Sequence, residues 1–234
     1  MGIVVSLIGA SGSGKTSSMR NVVGSKDSIM FRPSRKPVAF RKKLTEWDSE
    51  KKTGDYIFVD SYEFAIGALD IMANTYGKKV IIIEDSTFFM TDYFMETINE
   101  VGFAKFSNNA SGYYNLIKAA EALPEDVVVY LVNHTDNDAG GFKKVKTIGK
   151  MLDEKVDIPS LLTVMLEAGV VKQKYTLQTN KSGAYDLCKS PAGMFNDLHI
   201  PNDLMVVDKM IREYYFFDSI TYSELSGDAA KDFS

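Results

Sequence analysis

Nearly continuous apolar runs, rather than alternating apolar and polar residues, mark the strongest strand candidates along the chain. The three clearest runs span residues 3–8, 80–83 and 127–132. A strand that is apolar on both faces is typical of a parallel sheet with helices packed on each side. Shorter extended runs at residues 28–31 and 56–59 add two further strands. The pattern therefore predicts an α/β fold built on a mainly parallel sheet.

Segments with apolar residues at helical spacing lie between and after these strands. The predicted helices cover residues 15–23, 60–77, 91–101, 109–123 and 202–214, caps included. Asp60 is predicted to cap the second helix with Glu63 as its capping-box partner, although either carboxylate could instead be catalytic. Asn202 or Asp203 is predicted to cap the last helix.

The last third of the chain is predicted to add strands at residues 161–166 and 173–178, as a hairpin across Gly169. From residue 223 onward the sequence is small, polar and acidic. We therefore expect one domain over residues 1–222, followed by a flexible acidic tail over residues 223–234.

A glycine-rich turn connects the first predicted strand to the first predicted helix. It matches the phosphate-binding pattern G-x-x-x-x-G-K-[ST] in the strand–turn–helix context that this pattern requires. Lys15 is expected to act as a catalytic cation on the β- and γ-phosphates, and the Thr16 hydroxyl is expected to bind Mg²⁺. The chain is therefore predicted to bind a nucleoside triphosphate, expected to be ATP, together with Mg²⁺. The residues predicted to surround the phosphates are Gly9, Ala10, Ser11, Gly12, Ser13, Gly14, Lys15, Thr16 and Ser17.

Two adjacent acids, Glu84 and Asp85, follow the apolar run at residues 80–83. This is the Walker B pattern, in which an aspartate holds Mg²⁺, and Asp85 is the predicted metal ligand. Because side chains alternate along an extended strand, Glu84 would point to the opposite face unless the strand bends there. Glu84 is the predicted catalytic residue that polarises the attacking water, with Glu63 as the alternative.

Two further polar residues, Asn133 and His134, follow the apolar run at residues 127–132. The carboxyl ends of parallel strands share one sheet edge, where α/β proteins bind their ligands. Either residue could sense the γ-phosphate by a hydrogen bond, and His134 is placed among the catalytic candidates.

The charge of the chain adds two local features. A net charge of −4 argues against nucleic-acid binding through overall charge. Residues 31–43 nevertheless form a basic stretch without acids, which fits a loop that contacts nucleotide or nucleic-acid phosphates, or a solvated loop. A second stretch, residues 143–150, lies in a predicted mobile loop over residues 136–150 and fits either a DNA-binding loop or a solvated surface loop. The candidate contacts to single-stranded DNA are Arg32, Arg35, Lys36, Lys143, Lys144 and Lys146.

The composition of the chain bears on the cellular compartment and on contact with membranes. A single cysteine, Cys188, excludes an intramolecular disulfide and fits a reducing cytoplasm. No apolar run approaches the length of a membrane span, so no membrane partner is expected.

Several short motifs, spread over most of the chain, carry a resemblance to a known family. They are residues 9–16, 32–40, 83–85, His134, 146–150, 190–195 and 200–204. Together they resemble the short RecA-like core ATPases that bacteriophages and prophages encode. The resemblance implies a RecA-like P-loop NTPase fold, a mainly parallel sheet flanked by helices with a C-terminal β-hairpin and helix. It also implies a homo-oligomer in the cytoplasm of a bacterial host, with nucleotide sites near subunit boundaries. For some relatives it implies work with single-stranded DNA in recombination or replication.

The same resemblance bears on two individual roles. Lys189 stands where some of these proteins carry a basic residue that reaches a neighbouring subunit's nucleotide. RecA itself supplies its catalytic glutamate from a strand other than Walker B, and this sequence has no unambiguous counterpart. The base therefore stays open between Glu84 and Glu63.

Two other functions fit the same loop. A small-molecule or nucleotide kinase would need an arginine-bearing lid, whereas residues 136–150 contain lysines and no arginine. A non-hydrolysing, ATP-dependent assembly switch would be favoured by a weak catalytic base. Phosphate release without an acceptor distinguishes an ATPase from a kinase, and tight binding without turnover indicates a switch.

Overall fold

The computed structural model describes residues 1–138, 140–149, 152, 155–184 and 186–222. Its strands are β1 (Ile3–Gly9), β2 (Ser28–Arg32), β3 (Tyr56–Phe58), β4 (Val80–Ile83), β5 (Val128–Asn137), β6 (Lys143–Val145), β7 (Val164–Val171), β8 (Lys174–Gln178) and β9 (His199–Pro201). Its α-helices are α1 (Tyr62–Asp70), α2 (Thr87–Glu96), α3 (Ala104–Glu121) and α4 (Leu204–Tyr214). Short 3₁₀ segments cover Thr16–Met19 and Ile158–Leu161, and a π-helical segment, Ile71–Thr75, continues α1.

One sheet joins these strands in the order β3-β2-β4-β5-β1-β7-β8-β9, and β6 pairs with the outer end of β5. Neighbouring strands run parallel from β3 through to β7, whereas β8 and β9 are antiparallel to their neighbours. The glycine-rich loop therefore leaves the carboxyl end of a central strand. This architecture confirms the predicted fold class, a mainly parallel sheet flanked by helices with a C-terminal hairpin and helix.

Side-chain alternation along β1 divides the core between the two faces of the sheet. Val4 and Ile8 pack on the face covered by α1, α2 and α3, whereas Val5 and Leu7 pack on the face covered by α4. All four are buried. No helix within the described residues is long and apolar enough to cross a membrane.

The segment after the glycine-rich loop differs from its prediction. Residues 15–23 were expected to form a regular helix, but they form a 3₁₀ turn followed by further turns up to Gly24. The Ser18 hydroxyl donates to the Lys15 carbonyl at 2.6 Å, and such side-chain bonds compete with the helical ladder. Helices α2 and α3 both begin earlier than the apolar spacing predicted.

The helix caps give one correction and one confirmation. Helix α1 is capped by Ser61, whose side chain accepts a hydrogen bond from the N–H three residues later at 3.3 Å. The predicted cap at Asp60, with Glu63 as its partner, is therefore wrong, because the chain turns into the helix one residue later. Helix α4 is capped as predicted by Asp203, whose carboxylate accepts the Met205 N–H at 2.9 Å.

The two hairpins are placed differently from the sequence prediction. β7 and β8 do form a hairpin, but it turns at Lys172 and Gln173, which both have positive φ, whereas Gly169 lies within the paired strands. The expectation of a mobile loop over residues 136–150 is wrong in part, since the end of β5 pairs with β6. Ala139 and Lys150 lie outside the described residues.

The domain boundary stays a prediction. The acidic tail predicted over residues 223–234 lies outside the described residues. The strand β9 is absent from the sequence prediction, because a segment of three residues that ends in a proline gives no strand pattern.

A buried ion pair holds α4 against the sheet. Arg212 donates to Asp208 at 2.7 Å, and both side chains are almost wholly buried. The guanidinium also donates to the backbone carbonyls of Lys79 at 3.0 Å and Asp126 at 3.1 Å. These carbonyls flank the amino ends of β4 and β5, so one side chain joins the helix to two central strands.

We expect Arg212→Met to lower the free energy of unfolding by about 3–5 kcal/mol, because it leaves Asp208 as an uncompensated buried charge. Urea unfolding monitored by circular dichroism measures the change. Lys209→Met, an exposed cation on the same helix, is the control and should cost less than about 1 kcal/mol. Equal effects of the two substitutions would contradict a special role for the buried pair.

Candidate functional site

Parallel pairing brings the candidate residues to one edge of the sheet. Gly9, at the end of β1, lies opposite His134 on β5, and Asp85 follows the end of the next strand, β4. The backbone folds tightly here: a Cβ at Gly9, where φ is +152°, would lie 2.6 Å from the Ser13 hydroxyl. A Cβ at Gly14, where φ is +97°, would lie 2.7 Å from the Tyr175 ring. These glycines are therefore required by the shape of the loop.

A cavity of about 290 Å³ opens between this loop and the ends of β4 and β5. Its lining combines hydroxyl, amine and carboxylate groups with loop backbone. The lining residues are Ser11, Gly12, Gly14, Lys15, Thr16, Ser17, Lys36, Ala39, Asp85, His134 and Tyr175. Sequence motifs that are far apart in the chain thus meet around one space.

Lys15 lies in the curve of the loop. Its ammonium donates to the carbonyls of Gly9 at 2.7 Å and Ala10 at 2.8 Å. Burial lowers the pKa of Lys15 to about 8, although the negative charge of Asp85 acts in the opposite direction. An amine that is partly desolvated and held by carbonyls is well placed to bind an anion that enters the cavity.

Asp85 takes a left-handed backbone conformation, with φ of +48°, two residues after the end of β4. This bend points its carboxylate into the cavity, where it accepts a hydrogen bond from Lys36 and lies 3.4 Å from Nε2 of His134. Burial opposes its charge, but the hydrogen bonds from His134 and Lys36 lower the pKa of Asp85 to about 2. Asp85 is therefore a permanent anion at neutral pH, as a metal ligand must be.

Glu84 points away from the cavity. Its Oε2 accepts a hydrogen bond from Nε of Arg32 at 2.9 Å, and both side chains are buried. Burial raises the pKa of Glu84 in spite of this partner. Its predicted role as the base that contacts water is not supported by this placement, because the side chain is paired with Arg32 and does not line the cavity. The alternative, Glu63, is exposed and lines a different cavity with Trp47.

The two polar residues near the end of β5, like Glu84 and Asp85, differ in whether they face the cavity. His134 faces the cavity, whereas Asn133 is buried in a hydrogen-bond network. The Asn133 carbonyl oxygen accepts from Ser86 at 2.6 Å and Tyr113 at 2.7 Å, and its amide donates to Ser6 at 3.0 Å. Of the two candidates for a phosphate sensor, only His134 reaches the space where a phosphate would lie.

The residues present fit a polyphosphate with a divalent cation. Gly9 and Gly14 leave space in the loop because they lack a Cβ, which would collide with neighbouring atoms. Lys15 supplies a positive charge inside the loop. Thr16 and Asp85 both line the cavity and offer a hydroxyl and a carboxylate. The described residues contain no group of three or more His, Cys, Asp or Glu side chains that could hold a metal ion. Mg²⁺ is commonly held by one or two protein oxygens together with substrate phosphates and water.

The segment just before α4 forms hydrogen bonds with the glycine-rich loop and with the turns just after the 3₁₀ segment that follows it. Asn202 donates to the Gly14 carbonyl at 2.9 Å, and its own carbonyl accepts from Arg20 at 2.9 Å. Asn21 donates to the Asp203 carboxylate at 2.6 Å. These hydrogen bonds join the segment at residues 200–204 to the glycine-rich loop, although Asn202 and Gly14 are 188 residues apart in the chain.

Three residues of the site were missed or assigned elsewhere by sequence reasoning. Lys36 was grouped with DNA contacts, although the alternative of a nucleotide-contacting loop was open. Tyr175 lines the cavity, and Asn202, predicted only as a helix cap, supports the loop. Neither residue belongs to a recognisable catalytic motif in the sequence. The only signal for Asn202 was its position in the segment at residues 200–204, and a single tyrosine in a strand gave none.

The basic residues assigned to DNA fall into different environments. Arg32 is buried against Glu84, so its predicted DNA contact is wrong for this conformation. Lys143 donates to both carboxylate oxygens of Glu167, at 2.7 and 2.8 Å. Lys146 is exposed, and its N–H donates to the His134 carbonyl at 2.8 Å. The remaining candidates are Arg35, exposed over the Phe58 ring at 4.1 Å, and the half-buried Lys144.

Lys189, the candidate for contact with a neighbouring subunit, lies in an isolated bridge. Its backbone pairs with Met165, with hydrogen bonds of 2.8 and 3.0 Å. Its side chain is half-buried, and burial lowers its pKa. A trans-acting role for this lysine stays a prediction.

Comparison with known proteins gives limited similarity. No family model matches the chain, and a comparison with curated protein sequences finds no match. Among solved structures, the chain is similar to a KaiC-like protein from the hyperthermophilic archaeon Pyrococcus horikoshii OT3. The two share 11% sequence identity and a TM-score of 0.45 over 79% of this chain and 82% of that chain. Similarity of this extent gives no argument about activity, which must come from the site.

The pKa of Lys15 predicts how anion binding depends on pH. A lysine whose pKa is lowered to about 8 carries its positive charge below that pH and loses it above. We therefore expect affinity for sulfate, whose own charge is constant in this range, to fall about tenfold per pH unit above pH 8. Isothermal titration calorimetry from pH 7 to 9.5 measures this. Lys15→Arg keeps its charge and should show a much flatter profile; identical profiles would contradict the assignment.

Proposed function

We propose that the chain is a Mg²⁺-dependent ATP-binding protein and ATPase of the RecA-like type found in phages. The observation that carries this proposal is the meeting of Lys15, Thr16, Asp85 and His134 around one cavity at the carboxyl ends of parallel strands. The first two come from the phosphate-binding motif, and the others come from the ends of β4 and β5. The phage-type part of the proposal rests on the resemblance of the sequence motifs.

Each residue has a distinct role in the proposed reaction, the attack of water on the γ-phosphate. Lys15 holds the β- and γ-phosphates and stabilises negative charge that develops during bond cleavage. Thr16 and Asp85 are the residues that would hold Mg²⁺, which supplies further charge neutralisation when bound. His134 lies 3.4 Å from Asp85 and is placed to donate a hydrogen bond to a γ-phosphate oxygen.

The arrangement modifies the role first assigned to Glu84. Among the described residues that line the cavity, Asp85 is the one carboxylate. Glu84 reaches the cavity only through Arg32, whose guanidinium also donates to the Lys36 carbonyl. We therefore assign Glu84 a positioning role for the loop that carries Lys36.

For the ATPase, we expect Lys15→Ala to lower phosphate release by about 10²-fold or more, since a preorganised charge on the transferred group is lost. The free energy of unfolding without nucleotide should change by at most about 2 kcal/mol, because only two hydrogen bonds are removed. Phosphate release in the presence of ATP and Mg²⁺, without any acceptor, is the measurement. Lys26→Ala, an exposed lysine outside the cavity, is the control.

The alternatives give different results in this assay. Phosphate transfer only in the presence of an added hydroxyl or nucleotide acceptor would identify a kinase. Tight ATP binding without turnover in the wild-type protein would identify an assembly switch. Neither is favoured by a specific contact in the cavity.

We further propose that the protein acts as a homo-oligomer on single-stranded DNA, in recombination or replication in the bacterial cytoplasm. The resemblance supplies this idea, and the β5–β6 hairpin supports it. Lys146 is exposed on this hairpin, and its backbone is bonded to His134 in the cavity. Nucleotide contact at His134 could thereby alter the position of a basic hairpin.

If the hairpin binds DNA, the double substitution Lys144→Ala and Lys146→Ala should lower the slope of log K against log[salt] by about 1.4. This corresponds to roughly 0.7 for each phosphate contact on a single strand. Fluorescence anisotropy with labelled oligonucleotides at several salt concentrations measures the slope. The control is the double substitution Lys51→Ala and Lys52→Ala. These two exposed lysines lie in a turn that is remote in sequence from the β5–β6 hairpin. Equal slopes for both double variants would remove the hairpin from the DNA interface.

A further inference from the structure

The contact between Lys36 and Asp85 places a half-exposed cation on the predicted metal ligand. The Lys36 ammonium donates to Oδ2 of Asp85, while His134 lies against Oδ1. The Lys36 side chain is 47% exposed, whereas that of Asp85 is 5% exposed. The lysine therefore reaches the carboxylate from the open side of the cavity and can leave it without being drawn out of a core.

The backbone beneath Lys36 is held in place on both sides. Arg32, fixed by Glu84, donates to the Lys36 carbonyl, and Ser17 of the glycine-rich segment donates to the Ala39 carbonyl at 3.3 Å. The prolines at positions 33 and 37 restrict the chain further. The long side chain of Lys36 is half exposed above this fixed backbone, and it lines the cavity that contains Lys15.

A divalent cation and this lysine compete for one carboxylate. Asp85 would hold a metal through the same carboxylate that now accepts the Lys36 ammonium, and two cations on one carboxylate repel each other. Lys36 would then need another anionic partner, and nucleotide phosphates bound in the same cavity would supply one. The exchange links the arrival of the metal to a new contact with the nucleotide.

We propose that Lys36 is a second phosphate-binding lysine, which occupies Asp85 in the free protein and transfers to the nucleotide phosphates when a metal-bound nucleotide enters. This inference rests on the proposed function, since it assumes that the cavity binds a nucleoside triphosphate. It predicts that metal alone binds weakly, and that metal and nucleotide bind together more tightly than either does alone.

The test compares Mn²⁺ binding and ATP binding in the wild-type protein and in Lys36→Met. Without nucleotide, Lys36→Met should bind Mn²⁺ about tenfold more tightly, because the competing ammonium is gone. At a saturating Mn²⁺ concentration, the same variant should bind ATP about tenfold more weakly, because the phosphate contact that displaced Lys36 makes in the wild type is lost. Electron paramagnetic resonance of free Mn²⁺ and calorimetry with ATP measure the two affinities. Lys36→Arg retains the charge and should restore ATP binding in large part.

Lys43→Met is the matched control, since this exposed lysine belongs to the same basic stretch but does not line the cavity. It should leave both affinities unchanged. Unchanged affinities in Lys36→Met, or a loss of Mn²⁺ affinity, would overturn the role of Lys36 while leaving ATP binding by the wild type intact. A wild-type protein that binds no ATP with or without Mn²⁺ would overturn the proposed function itself.

Discussion

Two neighbouring carboxylates at the end of a buried strand require two cations, and this requirement organises the candidate site. Glu84 and Asp85 are both almost fully buried, where an ionised carboxylate without a partner is strongly unfavourable. β2 lies beside β4, and its carboxyl end supplies Arg32 to the first acid, while the loop after it supplies Lys36 to the second. The strand order is therefore part of the site, because a different neighbour would leave the acids unpaired.

The two ion pairs have different accessibility, and this difference separates structure from function. Arg32 is buried and also bonded to the backbone, so it acts as a fixed support for the segment that follows β2. Lys36 is half exposed and ends in the cavity. Glu84 thus supports the scaffold, and Asp85 is the acid to which we assign the proposed exchange between a lysine and a metal. Side-chain alternation at the end of β4, followed by the left-handed conformation of Asp85, produces this division.

The sequence predicted the elements whose signal is local. The phosphate-binding motif needed only its glycines and flanking strand, and β1, β4 and β5 needed only continuous apolar runs. The sheet edge shared by Asp85 and His134 followed from parallel pairing. What failed depends on partners distant in sequence: Arg32 looked like a free cation until Glu84, 52 residues away, was placed beside it. β6 was missed for the same reason, since a lysine-rich strand is defined by its pairing with β5 rather than by its own pattern.

The charges that remain in the cavity after these pairings indicate what kind of ligand would balance them. Lys15 and Lys36 contribute two ammonium groups, and among the described lining residues Asp85 contributes the one carboxylate. Burial lowers the pKa of Lys15 to about 8, because its ammonium is partly removed from water, while the charge of Asp85 opposes this shift. Two ammonium groups against one carboxylate leave one positive charge in excess, so the cavity favours an anionic ligand. Phosphate oxygens that enter it would meet the Lys15 ammonium, where the glycines of the loop leave room for them. The electrostatics of the cavity therefore agree with the phosphate-binding motif in the sign of the ligand's charge, and the identity of the ligand rests on the motif.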